Sequence, residues 1–134
     1  MRARSETSVI ILHHSATFSH QDVGVLEFTQ WHRQRGFSDV GYHWVIRRDG
    51  TIEAGRDERL VGAHCVAQGM NAVSIGICLV GGLAPDGHNG EDNFTDAQFK
   101  SLAKLIKEIR GRYGNLPVKG HKDYDPGKPV CPAF

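Results

Sequence analysis

Two short stretches near opposite ends of this 134-residue chain carry residues able to hold a metal. They are Leu12-His13-His14-Ser15, and Gly120-His121 with Cys131-Pro132 ten residues further on. Each offers a borderline-soft ligand at the edge of an apolar run. Two imidazoles and one thiolate, from His13, His121 and Cys131, make a three-ligand zinc site. Three protein ligands leave a fourth position for water, which is the catalytic pattern, whereas structural zinc is normally closed by four. The spacing is not one of the compact metal-binding motifs. On residue types alone, each histidine is equally read as a hydrogen-bonded core or surface side chain, and Cys131 as a buried inert thiol.

Such ligands need rigid backbone behind them, and strand ends provide it. Val9-Ile-Ile-Leu12 is an unbroken apolar run, a buried strand delivering His13 and His14 at its end. By strand alternation His14 points away from His13. Asp22 to Gln34 has apolar residues at Val25, Phe28 and Trp31/His32 before Gly36, the spacing of an amphipathic helix. Gly41 to Arg48 alternates, placing Tyr42, Trp44 and Ile46 on one face and His43 and Val45 on the other. Asp49-Gly50 is a hairpin turn, with Thr51 to Ala54 pairing back. Gly55 to Asn71 has no period and is a loop; Val73 to Val80 is the most apolar strand. A second helix runs from Thr95 to Tyr113, with Thr95 and Gln98 as a capping box and Gly114 as its stop. Phe99, Leu102, Ile106 and Tyr113 are expected on its inner face. Val118-Lys119 is a last edge strand leading to His121, and Pro126, Pro129 and Pro132 stiffen the loop to Cys131. The whole is a single α/β domain over residues 1–134, a mixed central sheet of about four or five strands flanked by helices.

Composition narrows the function classes. A formal charge of +1 lacks the basic excess of a nucleic-acid-binding surface. No run approaches the roughly 18 apolar residues of a membrane span, and no membrane partner is expected. Three cysteines cannot form a complete disulfide framework, and the N-terminus lacks the apolar stretch of a signal peptide. Synthesis in the cytoplasm is therefore expected. Cys65 beside His64 invites a cysteine-hydrolase reading, but adjacent residues on an extended segment point apart. Cys78 is a packed small hydrophobe, and His20, His32 and His88 are simplest as surface residues.

Longer motifs point to a family. HHSAT (His13 to Thr17), DVGYHWVIRRDGTIEAGRDE (Asp39 to Glu58), VGAH (Val61 to His64), NAVSIGICLVGG (Asn71 to Gly82), NFTDAQFKSL (Asn93 to Leu102) and CPAF (Cys131 to Phe134) follow in order along nearly the whole chain. Together they resemble the zinc-dependent N-acetylmuramoyl-L-alanine amidases of the phage lysozyme and peptidoglycan recognition protein type. The resemblance implies zinc ligands at His13, His121 and Cys131, and catalytic residues at Tyr42 and Lys128. It places His64 beside the ligands or in the substrate groove; Asn71, like Ser15, is suited to substrate or turn hydrogen bonds. One departure concerns Lys128, which lies three residues before Cys131 with Pro129-Val130 between, in a loop longer than in similar phage lysozymes. Lys122 is the weaker candidate for its role.

The activity so implied is hydrolysis of the amide bond between N-acetylmuramic acid and L-alanine in peptidoglycan. A phage or prophage endolysin would be a monomer, made in the cytoplasm and released to the cell wall at lysis. The alternative is a peptidoglycan-binding module, or a regulatory one that inhibits a phage RNA polymerase. Recognition-only relatives tend to lack the cysteine ligand, which this chain has.

Overall fold

A computed structural model describes residues 1–134. Five strands form one sheet: β1 (Val9–His14), β2 (Trp44–Ile46), β3 (Ile52–Ala54), β4 (Ser74–Leu79) and β5 (Val118–Gly120), in the order β3-β2-β4-β1-β5. β1 runs parallel to both β4 and β5, and β2 parallel to β4; only β3 is antiparallel, closing the Asp49-Gly50 hairpin against β2. All six residues of β1 and all six of β4 are buried. This is why both read as continuous apolar runs rather than alternating ones. Parallel pairs need crossovers, and two α-helices, α1 (Val25–Gln34) and α2 (Asp96–Tyr113), lie in the long connections. Tight 3₁₀ turns at Ala67–Val73 and His121–Asp123 complete the elements. No helix is long and apolar enough to cross a membrane.

α2 starts where its sequence says. The Thr95 hydroxyl accepts from the Gln98 amide at 3.1 Å, and the Gln98 side chain accepts from the Thr95 amide at 3.0 Å. Gln98 then donates to the carbonyls of Ile46 and Val80, tying the cap to the ends of β2 and β4. The buried face differs from the expected one: Gln98, Leu102, Leu105 and Ile109 face the sheet, while Phe99 is 36 % exposed and Ile106 and Tyr113 lie at the edge. Because Gln98 is fully used by the cap and two carbonyls, it can occupy a core position that hydropathy assigns to Phe99. Phe99 instead joins an edge-to-face cluster with Phe94 and Phe134.

The first helix begins at Val25, not Asp22. Glu53 accepts from the Val25 amide at 2.9 Å, and Asp22 is outside the helix, paired with Arg47 at 2.6 Å. Its buried residues are Phe28 and His32. His32 is therefore not the surface residue expected: its Nδ1 accepts from the Gly41 amide at 2.8 Å.

β2 is also shorter than its alternation suggests. The carbonyls of Gly41, Tyr42 and His43 are taken by the amides of Ala63, Arg56 and Gly55 in the following loop. The backbone there is irregular, and the two-residue period breaks. Tyr42 consequently packs with Val45, Phe28 and Cys78, on the side opposite Trp44 and Ile46, contrary to expectation. That displacement matters, because it puts the phenol on the histidine-bearing face of the sheet.

Candidate functional site

On β1, Ile10 and Leu12 face α2, while Val9, Ile11 and His13 face the other way. His13 is thus delivered by a fully packed strand, beside Cys78 in the β1–β4 register. His121 opens the 3₁₀ turn directly after β5, and Cys131 returns through a loop clasped by backbone bonds. The Lys122 amide donates to the Cys131 carbonyl at 2.7 Å, and the Cys131 amide to the Lys128 carbonyl at 3.2 Å. One donor atom from each of His13, His121 and Cys131 lies within 4.8 Å of the others, and all three residues are buried.

Between His13 Nδ1 and Cys131 Sγ the separation is 3.9 Å. Ligand bonds of about 2.0–2.3 Å around a tetrahedral zinc give ligand-to-ligand edges of about 3.5 Å, so the trio fits such an ion after a small closure. The electrostatics agree. Burial, then the neighbouring His64 and His121, hold His13 well below the ordinary imidazole range, leaving a neutral ring with a free lone pair. Burial raises the Cys131 thiol, opposed by the His14 backbone amide, Lys128 and Lys122. A thiol so placed needs a cation to become a ligand thiolate.

A cavity of about 350 Å³ opens over the trio. Tyr42, His64, Asp125, Lys128 and Arg35 are on its walls. The Tyr42 ring lies 5.2 Å from that of His13. Burial pushes its phenol well above the usual value, so the hydroxyl keeps its proton and stays a donor at neutral pH. Lys128 reaches the cavity and is exposed at its rim. Lys122 does not serve there: its ammonium donates to the carbonyls of Pro132 and Phe134 at 3.0 and 3.1 Å.

His64 is buried, with Nδ1 2.8 Å from His13 Nε2 and Nε2 3.1 Å from the Ser74 hydroxyl. Asn71 stands behind it and is not on the cavity wall. Its side-chain oxygen accepts from the amides of His64 and Cys65 at 2.9 and 2.8 Å. Ser15 likewise makes turn bonds, to Thr17 and from the Gly81 amide. His14 is buried against Gly82 and is not one of the clustered donors. His43 is wholly structural, bonded to the Leu60 carbonyl and the Gly76 amide. Cys65 and Cys78 are buried free thiols, both raised by burial, Cys65 to about 11, and so poor nucleophiles.

Sequence reasoning missed Asp125, whose carboxylate lies 3.6 Å from His121 Nε2. An acid four residues after the histidine was the available signal. It also missed Arg35, whose guanidinium sits 5.2 Å over the Phe37 ring at the cavity edge.

Comparison with known proteins extends these observations beyond the site. The endolysin of Klebsiella phage KP32 is 49% identical over 131 residues, covering 98% of this chain and 83% of the relative. Among solved structures, the endolysin N-acetylmuramoyl-L-alanine amidase LysCS from Clostridium intestinale superposes with a TM-score of 0.79 at 34% identity, covering 95% of this chain and 75% of that one. Bumblebee PGRP-SA, at 22% identity and a TM-score of 0.77, covering 98% of this chain and 82% of that one, shares the fold. A family model described as N-acetylmuramoyl-L-alanine amidase matches residues 3–134, and on that match this chain belongs to the N-acetylmuramoyl-L-alanine amidase family.

Proposed function

We propose that this amidase cuts the bond between N-acetylmuramic acid and L-alanine in peptidoglycan, with a zinc ion held by His13, His121 and Cys131. The observation that carries the reading is the convergence of three buried donor atoms on the floor of a cavity walled by Tyr42 and Lys128. Zinc bound there supplies Lewis acidity, lowering the pKa of a water to about 7 and polarising a carbonyl. The chain's own residues supply the rest. Tyr42, kept protonated by its burial, donates a hydrogen bond to the oxygen on which charge develops. Lys128, on its flexible stem at the rim, brings a positive charge to the same oxygen and a proton for the departing amine. His64 acts on the substrate side by shaping the inner wall, its ring nitrogens held by His13 and Ser74, and Asn71 supports it from behind by accepting from the His64 and Cys65 amides.

The same reading makes the protein a monomeric endolysin, released from the cytoplasm to the wall at lysis. A polymerase-inhibiting role is a second reading that rests on the likeness to phage endolysins alone.

Digestion of purified sacculi, with and without chelator, tests the proposal by mass spectrometry of the products. Free stem peptides with a new L-alanine amino terminus, lost on chelation and restored by zinc, are expected. Glycan fragments with peptides still attached would overturn it. Tyr42→Phe should lower kcat by roughly 10²–10³ while zinc content is unchanged, the scale of one lost oxyanion donor.

A further inference from the structure

Behind the metal ligands runs a short chain of hydrogen bonds whose direction is fixed at its far end. The Met70 carbonyl can only accept, and it lies 2.6 Å from the Ser74 hydroxyl. The Ser74 proton is thereby committed to Met70. Toward His64 Nε2, at 3.1 Å, the same oxygen can then only accept, so His64 carries its proton on Nε2. His64 Nδ1 is left with a lone pair, and it accepts from His13 Nε2 at 2.8 Å. His13 in turn is left with its lone pair on Nδ1, the atom 3.9 Å from the Cys131 sulfur.

The surroundings hold this chain rigidly. A Cβ on Gly76 or Gly62 would come within 2.6 Å of the His64 ring, so the imidazole lies directly on the backbone at both positions. The 3₁₀ turn Ala67–Val73 is kinked by left-handed backbone at Gln68 (φ 57°) and Gly69 (φ 69°), and it carries Met70 into place. Asn71 of the same turn grips the His64 and Cys65 amides. The turn thus holds His64 by its backbone and, through Ser74, by its ring. A ligand histidine usually donates its second N–H to a carboxylate, a carbonyl or water. Here the carbonyl stands two side chains away.

We infer that Ser74 is a positioning residue: through His64 it selects the tautomer of His13 that turns Nδ1 toward the metal position. The inference rests on the metal reading for its purpose, but not for its geometry. Without the Ser74 hydroxyl, His64 loses the acceptor for Nε2–H and can place its proton on Nδ1. That proton then points at His13 Nε2, forcing the His13 proton onto Nδ1 and blocking the ligand atom.

Long-range ¹H–¹⁵N NMR of the metal-free protein reads the tautomers directly. In the wild-type chain, Nε2–H is expected on both His13 and His64. In Ser74→Ala, both should move toward Nδ1–H, with zinc affinity in a chelator competition falling about 10–100-fold, the usual cost of a lost outer partner. Ser74→Thr, which keeps the hydroxyl, should retain the wild-type pattern. An Nδ1–H tautomer at His13 in the wild-type protein would overturn the inference, and so would unchanged tautomers in Ser74→Ala. A wild-type protein with the expected tautomers but no zinc binding would sustain the relay and remove the metal reading. The wild-type spectrum needs no substitution, so a variant that fails to fold does not shield the claim.

Discussion

The two faces of the sheet are built from the same strands and do opposite work. Toward α2, β1 and β4 present Ile10, Leu12, Ile75, Ile77 and Leu79, which pack on Leu102, Leu105 and Ile109 with no charged side chain among them. Toward the cavity the alternate positions present His13, Ser74, Gly76 and Cys78, and the neighbouring loops add His43, His64 and Tyr42. The first face gains from burying apolar area, which is tolerant of geometry. The second places polar rings where water is excluded, and is stable only because nearly every nitrogen has a partner. One strand period separates stability from chemistry by a single residue.

Substitutions can show whether that separation is real. The largest effect is expected from His121→Ala, which removes one of the three proposed ligands: zinc binding and amidase activity should be lost, activity by more than about 10⁴-fold, as when a principal member of a catalytic assembly goes. Calorimetry of the metal-free variant should show a melting temperature close to that of the metal-free parent. Leu105→Ala, on the opposite face at 1 % exposure, should reverse the pattern. About 2–5 kcal/mol of stability should go, read from urea midpoints, with kcat per folded molecule unchanged. A large kcat loss in that variant would show the faces to be coupled.

Acid should act chiefly through the buried histidines, most of which lie on the cavity face. Burial lowers His43 from the ordinary value to about 4. Between about pH 6.5 and 4 the unfolded chain takes up a proton that the folded chain refuses, so stability falls with falling pH through that window and levels below it. His43 by itself accounts for about 3 kcal/mol at the bottom. Urea titrations of the metal-free protein at stepped pH would measure it, and His43→Gln should make the curve shallower by that contribution, the other buried histidines keeping the rest of the slope. The smallest effect belongs to Arg112, whose two bonds to Glu58 join the end of α2 to the loop before His64. The Arg112 side chain is 45% exposed, so Arg112→Ala should cost under about 1 kcal/mol by the same urea assay.

The cavity face was the harder one to read from sequence. His13 and His121 were placed by the strands that end beside them and Cys131 by its proline-stiffened loop, with the ordered family motifs singling out the trio, and the capping box at Thr95 placed α2 to the residue. Hydropathy failed where a polar side chain is buried and satisfied. Gln98 and His32 sit in the interior because backbone groups meet them, and a pattern of apolar spacing has no symbol for that. Tyr42 landed on the other side of β2 because the carbonyls around it are claimed by residues 55–63, a tertiary event invisible to local alternation. The Met70–Ser74–His64 relay was likewise hidden, since its members are ordinary residues brought together by a kinked turn. Asp125 had a local signal, four residues from His121.

His13 and Cys131 lie 118 residues apart along the chain and touch only when the first strand and the terminal loop are both docked. A metal ion held there would behave as a buckle fastened across 118 residues of chain. A chain still emerging from the ribosome holds His13 long before Cys131 exists, so a metal held by both could load only after Cys131 is made and the two segments have docked. Once fastened, the ion would oppose peeling of the Cys131 loop from β1. At a free zinc concentration 100-fold above its dissociation constant, that resistance amounts to about 2.7 kcal/mol. Zinc supply would then govern how long each molecule survives as well as how fast it works.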